Sequence, residues 1–98
     1  NSRSFDILSA LSDHGVQPFV HDPMLTSATC PRGNTYSWAA LEELRGMDVI
    51  ILAVPHNRLL RCNPLVWSRM LADGALLMDV KSALEPARLP ATSAYWSL

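Results

Sequence analysis

The sequence predicts an α/β domain built on a mostly parallel sheet, and three observations carry that prediction. Residues 49–54 (VIILAV) form six consecutive apolar positions, mostly β-branched, with Asp48 in front and Pro55 behind. A run that short and uniform reads as a strand buried on both faces. Residues 75–80 (ALLMDV) repeat the pattern, and segments of helical apolar spacing lie before and between the two runs. Alternation of this kind argues for parallel strands with helices on both faces of the sheet, a three-layer arrangement.

Taken in order, residues 1–15 place Phe5, Ile7, Leu8 and Leu11 at helical spacing, with Ser and Asp opposite. Asn1, Ser2 or Ser4 can cap the start, Gly15 supplies a left-handed stop, and His14 suits the negative end of the helix dipole. Residues 16–22 then read as a short strand that Pro23 closes, because proline cannot donate to a ladder. Residues 24–37 hold Thr, Ser, Pro, Gly and Asn without periodicity and read as a loop. Trp38, Leu41 and Leu44 predict a short helix capped by Ser37, with Glu42 and Glu43 in its early turns and Arg45-Gly46 at its end. The run 49–54 follows.

After it, residues 57–62 predict a helical turn, and Pro64 opens a helix with Leu65, Val66, Met70 and Leu71 on its buried face and Trp67 beside them. Asp73-Gly74 predicts a turn, residues 75–80 a second buried strand, residues 85–89 a last helical turn, and residues 94–98 an edge strand. Helix, glycine, strand, acid at the start is half of a βαβ unit whose first strand is missing. With no initiator methionine and an opening inside a helix cap, the sequence predicts a fragment of a longer protein.

Composition narrows the function. Ninety-eight residues support one domain, 1–98, and 49% hydrophobic residues support a core for it. A net charge of −1, from 8 basic and 9 acidic residues, gives no field that would draw the chain to nucleic acid or anionic membrane. No apolar run reaches membrane-spanning length, and residues 1–16 carry Arg3, Asp6, Asp13 and His14 where a signal peptide would be apolar. Cys30 and Cys62 read as free thiols of a cytoplasmic protein, and neither has an activating neighbour in a recognisable motif. His14, His21 and His56 show no metal-ligand spacing. Trp38, Trp67 and Trp96 fall where packing accounts for them.

Candidate ligand contacts sit where parallel strands end. Asp22 occupies the position of a ribose-binding acid in a dinucleotide-binding fold. The glycines that should precede it would fall near Asn1 and Ser4, however, so close approach to a pyrophosphate is not supported; an Asx-type turn before Pro23 accounts for it otherwise. His56, just past residues 49–54, is either a structural loop histidine or a donor to phosphate or ribose. Lys81, at the end of the second buried strand and followed by Ser82 near a helix start, is either a solvated lysine or a cation that holds a phosphate or a uracil carbonyl. Arg58 and Arg61 read as surface charges.

The order NSRSFDILSALSDHGVQPFVHDP, a variable loop, DVIILAVPH, ALLMDVKSALEP and a closing YWSL resembles the C-terminal domain of the UDP-glucose/GDP-mannose dehydrogenase family. Ser2, Asp22-Pro23, Asp48, His56, Asp79, Lys81, Leu84 and Pro86 fall at that family's motif places. The resemblance is closest to the branch that oxidises UDP-N-acetylhexosamines for bacterial surface polysaccharides. It implies a Rossmann-like fold lacking its first strand, and binding of the UDP part of a UDP-sugar. Lys81 would stand in for the family's arginine, keeping the charge without the bidentate fork, with Ser2 and His56 as further UDP contacts.

It also implies that this fragment carries no catalytic residue. NAD would be bound by a missing N-terminal domain. The catalytic cysteine would lie in the region joined to the central dimerisation helices, and the whole protein would be a cytoplasmic homodimer or higher oligomer. The parent reaction would take the sugar C6 alcohol to a carboxylate, and the fragment alone would be inactive. Two rival readings remain: the NAD domain of a prephenate or 3-hydroxyacid dehydrogenase, which DVIILAVP also resembles, and a non-enzymatic Rossmann-like interaction module.

Overall fold

The computed structural model describes residues 2–23 and 36–98, the side chains of residues 2–5 excepted. The loop expected over 24–37, and Cys30 within it, lie almost wholly outside the described residues. The chain divides into two compact units, Asn1–Glu43 and Leu44–Leu98. Each is α/β, and every strand pairing is parallel, as the alternation of runs predicts.

The first unit holds helix α1 (Ser2–Asp13), strand β1 (Phe19–Val20) and strand β2 (Ser37–Trp38). Gly15 stops α1 with φ +77°, a conformation that costs other residues roughly 1–2 kcal/mol. The expected strand over 16–22 shrinks to two residues. β1 pairs with β2, with Ser37 N–H donating to Pro18 O at 3.0 Å and Ala39 N–H to Val20 O at 2.8 Å. That pairing overturns the helix expected to start at Ser37. Trp38 is drawn into the ladder, and only a 3₁₀ turn, Leu41–Glu43, forms after it. Glu43 closes this turn as half of a capping box, its Oε1 accepting from Ala40 N–H at 2.9 Å.

The second unit is a three-stranded parallel sheet in the order β3-β4-β5, from Met47–Leu52, Leu71–Asp79 and Ala94–Ser97. The order corrects the expectation for residues 49–54. Among the described residues β3 lies at the edge of its sheet, with Asp48 and Val49 exposed, whereas β4 is the central strand. Val49 lies on the sheet face that also carries exposed Trp96, so uniform apolarity in β3 does not bring burial on both faces.

β4 also begins earlier than expected. Leu71 pairs with Met47 and Leu76 with Val49, so five residues of β4 run alongside two of β3. The excess bulges out at Asp73-Gly74, where the turn was expected. Gly74 adopts φ +79° and its N–H donates to Thr92 O at 2.8 Å.

Between β3 and β4 the chain makes α2 (Asn57–Leu60) and α3 (Pro64–Met70). Asn63 caps α3, its side-chain oxygen accepting from Leu65 N–H at 3.0 Å, and Pro64 occupies the first turn, where no donor is missed. α3 packs on β4 through Trp67 and Met70, 1% and 2% exposed. Leu65, expected on the buried face, is 74% exposed and points away.

One sheet face carries Leu52, Ala75, Leu77 and Asp79, all buried. The opposite face carries Val49 and Trp96, both substantially exposed, so packing accounts for Trp67 but not for Trp96. A fully buried tryptophan removes about 200 Å² from water, or about 5 kcal/mol gross. The Trp67 indole N–H has no acceptor among the described residues, which offsets about 1–3 kcal/mol of that. Burial wins. Trp67→Ala should therefore lower stability to urea by about 3–5 kcal/mol, while Leu65→Ala should stay within about 0.5 kcal/mol. Equal losses at the two positions would mean that α3 presents a different face to the sheet.

Candidate nucleotide site at the carboxyl edge of the sheet

β3, β4 and β5 end flush, because Leu52 pairs with Asp79 and Asp79 with Ser97. Parallel strands deliver their following loops to one edge, and three short segments meet there: 53–56 after β3, 80–84 after β4, and Leu98 after β5. The ladder runs one step further, with Val80 N–H donating to Leu52 O at 3.1 Å.

The central loop is built on Asp79. Its side chain alternates inward with Ala75 and Leu77 and is fully buried. Oδ2 accepts from Leu84 N–H at 2.7 Å and from Tyr95 O–H at 2.8 Å. The first bond closes the loop 79–84 on itself, and the second ties it to β5. Oδ1 has no hydrogen-bond partner among the described residues.

Burial pushes this carboxyl up, but the donors prevail. The Leu84 N–H, the Tyr95 hydroxyl and, more weakly, the N–H groups of Ala83 and Lys81 hold it below the ordinary carboxylate range. The same arrangement raises Tyr95, through desolvation first and its bond to Asp79 second.

Ser82 departs from the expectation that it stands near a helix start. It sits at φ +52°, the left-handed region that few residues other than glycine adopt. Its Oγ donates to Leu98 O at 2.6 Å. The next helical turn is the 3₁₀ segment Pro86–Arg88, so Ser82 is a tie between the loop and β5 rather than the mouth of a helical anion site. Asp79 and Ser82 together hold the residues on either side of Lys81. Lys81 itself is exposed, and its ammonium makes no ion pair or hydrogen bond with a described residue.

His56 lies past the end of the neighbouring strand and precedes α2, half-buried. Its carbonyl accepts from Leu59 N–H and Leu60 N–H, both at 2.9 Å. The fold thus brings His56 and Lys81 to one edge of one sheet. Ser2 belongs to α1 in the other unit, and its side chain is outside the described residues.

Elsewhere in this unit, Arg58 and Arg61 are exposed. The Cys62 thiol donates to Leu59 O at 3.2 Å, and burial pushes its pKa up despite nearby Arg88. A thiol held protonated is a poor nucleophile. Among the described residues no three His, Cys, Asp or Glu side chains converge to hold a metal ion, and no helix is long and apolar enough to cross a membrane.

Sequence reasoning placed Asp79 only as a motif match and passed over Tyr95. A signal for Asp79 was present, since an acid in register with inward Ala75 and Leu77 must be buried and therefore bonded. Nothing local marks Tyr95, which meets Asp79 only across the sheet.

The UDP binding domain model of the UDP-glucose/GDP-mannose dehydrogenase family matches residues 1–86. The chain belongs to that family. The match runs from α1 through the Lys81 loop and stops before β5. Comparison with curated proteins and with solved structures gives no significant match. Membership makes this a UDP-binding domain of a nucleotide-sugar dehydrogenase family, and it decides against the prephenate-type reading.

The lowered pKa of Asp79 bears on stability. The folded state binds this proton less tightly than the unfolded chain, whose aspartate titrates near 3.9. The contribution of Asp79 is complete above that value and is lost as pH falls through the lower folded value. Circular dichroism during acid titration should show the wild type losing stability below about pH 4, with a shallower slope for Asp79→Asn. Matching slopes would remove Asp79 as the source.

Proposed function

We propose that residues 1–98 form the C-terminal UDP-binding domain of an NAD-dependent UDP-sugar 6-dehydrogenase, which oxidises the C6 alcohol of the sugar to a carboxylate. The observation that supports it best is the family match across residues 1–86, which contains the exposed cation at the carboxyl edge of the sheet. Lys81 donates to the diphosphate or the uracil carbonyl of UDP, and His56 on the adjacent loop adds a further contact. The branch is that of the UDP-N-acetylhexosamine enzymes of surface polysaccharide synthesis, acting in the cytoplasm as a homodimer or larger oligomer.

This chain's part is binding and positioning. A lysine on a loop braced at Asp79 and Ser82 meets the nucleotide with little of its backbone left to order. Held at the UDP end, the sugar is presented to reactive groups that lie outside residues 1–98. NAD accepts hydride in such a reaction. The positions near Asn1 and Ser4, where its glycine-lined turn would fall, are not glycine, so NAD belongs to another part of the protein. The fragment alone is inactive.

A hydrogen bond to a charged group contributes about 1.5–3 kcal/mol, and exposure of Lys81 places its contribution at the low end. In the full-length protein, Lys81→Ala should weaken UDP binding about tenfold and raise the KM for UDP-sugar, while the KM for NAD stays unchanged and Lys81→Arg retains affinity. Calorimetric titration with UDP, and with GDP as control, measures this. Unaltered UDP affinity in Lys81→Ala would remove Lys81 from the site, and tight NAD binding by residues 1–98 would overturn the assignment.

A further inference from the structure

We propose that Tyr95 is a positioning residue for nucleotide binding, acting through Asp79 to hold the loop that carries Lys81; this rests on the reading that Lys81 meets UDP. Tyr95 lies beyond residue 86, outside the part of the chain that the family model matches, so the assignment rests on geometry alone.

Three observations carry it. The Tyr95 hydroxyl donates to Asp79 Oδ2 at 2.8 Å, on the same oxygen that receives Leu84 N–H and closes the loop 79–84. Asp79 is fully buried and its Oδ1 has no partner among the described residues, so Oδ2 carries nearly all the support its charge receives. Finally, Ser82 reaches Leu98, one residue past the end of β5, at 2.6 Å. β5 and the residue that follows it therefore grip the loop, at its stem through Tyr95 and next to Lys81 through the Ser82–Leu98 bond.

Removing the Tyr95 hydroxyl leaves a buried carboxylate with a single strong donor. It regains support only by drawing in the N–H groups of Lys81 or Ala83, or by moving toward water. Either adjustment shifts the backbone that carries Lys81. Tyr95 touches no ligand in this scheme and acts entirely through the loop.

The test uses UDP as the probe, titrated calorimetrically into the full-length protein and into its Tyr95→Phe, Lys81→Ala and doubly substituted forms. Tyr95→Phe is expected to weaken UDP binding roughly fivefold with the NAD KM unchanged. In the Lys81→Ala background the same change should have no further effect, since a residue acting through Lys81 has nothing left to position. A purely structural role would give additive losses instead.

Ser82→Ala, which cuts the second tie from β5, should reproduce the weakening, and it serves if Tyr95→Phe does not fold. Wild-type affinity in Tyr95→Phe, or a Tyr95 effect that persists undiminished without Lys81, overturns the proposal while leaving the UDP contact standing. An unaltered affinity in Lys81→Ala overturns both.

Discussion

A carboxylate taken wholly out of water needs strong donors, and Asp79 receives two of them on one oxygen, the Leu84 N–H and the Tyr95 hydroxyl. The cost of leaving such a charge unsupported is several kcal/mol, large against the few that separate folded from unfolded states. The loop after β4 is shaped by this demand. To present Leu84 N–H to Oδ2, the chain must turn back within residues 79–84, and it does so with Ser82 in a left-handed conformation secured to Leu98. The exposed position of Lys81 follows from the burial of the residue two places before it.

The sheet around this loop is asymmetric in a way that suits a binding edge. Its buried face is closed by α3, whose Trp67 and Met70 lie against β4, and the flush ends of the three strands bring three connections together. The central strand is the stable place from which to suspend a contact, because it has hydrogen-bonded neighbours on both sides. β3, richer in β-branched residues, is an edge strand among the described residues and leads to His56. Lys81 follows the better-supported strand, and its neighbours Val80 and Ser82 are tied to Leu52 and Leu98.

The parallel α/β class was legible in the sequence because it depends on local properties. Apolar runs of strand length, the glycine after α1 and the Asn63-Pro64 helix start each act through their own backbone. The family was legible too, from the order of motifs ending at Asp79, Lys81, Leu84 and Pro86, and the match over residues 1–86 agrees with it.

Other features needed partners distant in the chain. Trp38 joins a strand because Pro18 and Val20 offer it a ladder. Leu65 is exposed because Trp67 takes the place against β4. Which of two similar apolar runs is central depends on strand order, which local composition does not encode. The bond from Tyr95 to Asp79 joins residues sixteen apart in the chain through the parallel register of β4 and β5. The class, the family and the helices around Gly15 and Pro64 rest on periodicity and short motifs, which the chain carries locally. Which strand is central and what braces Lys81 depend on contacts that exist only once the sheet has formed.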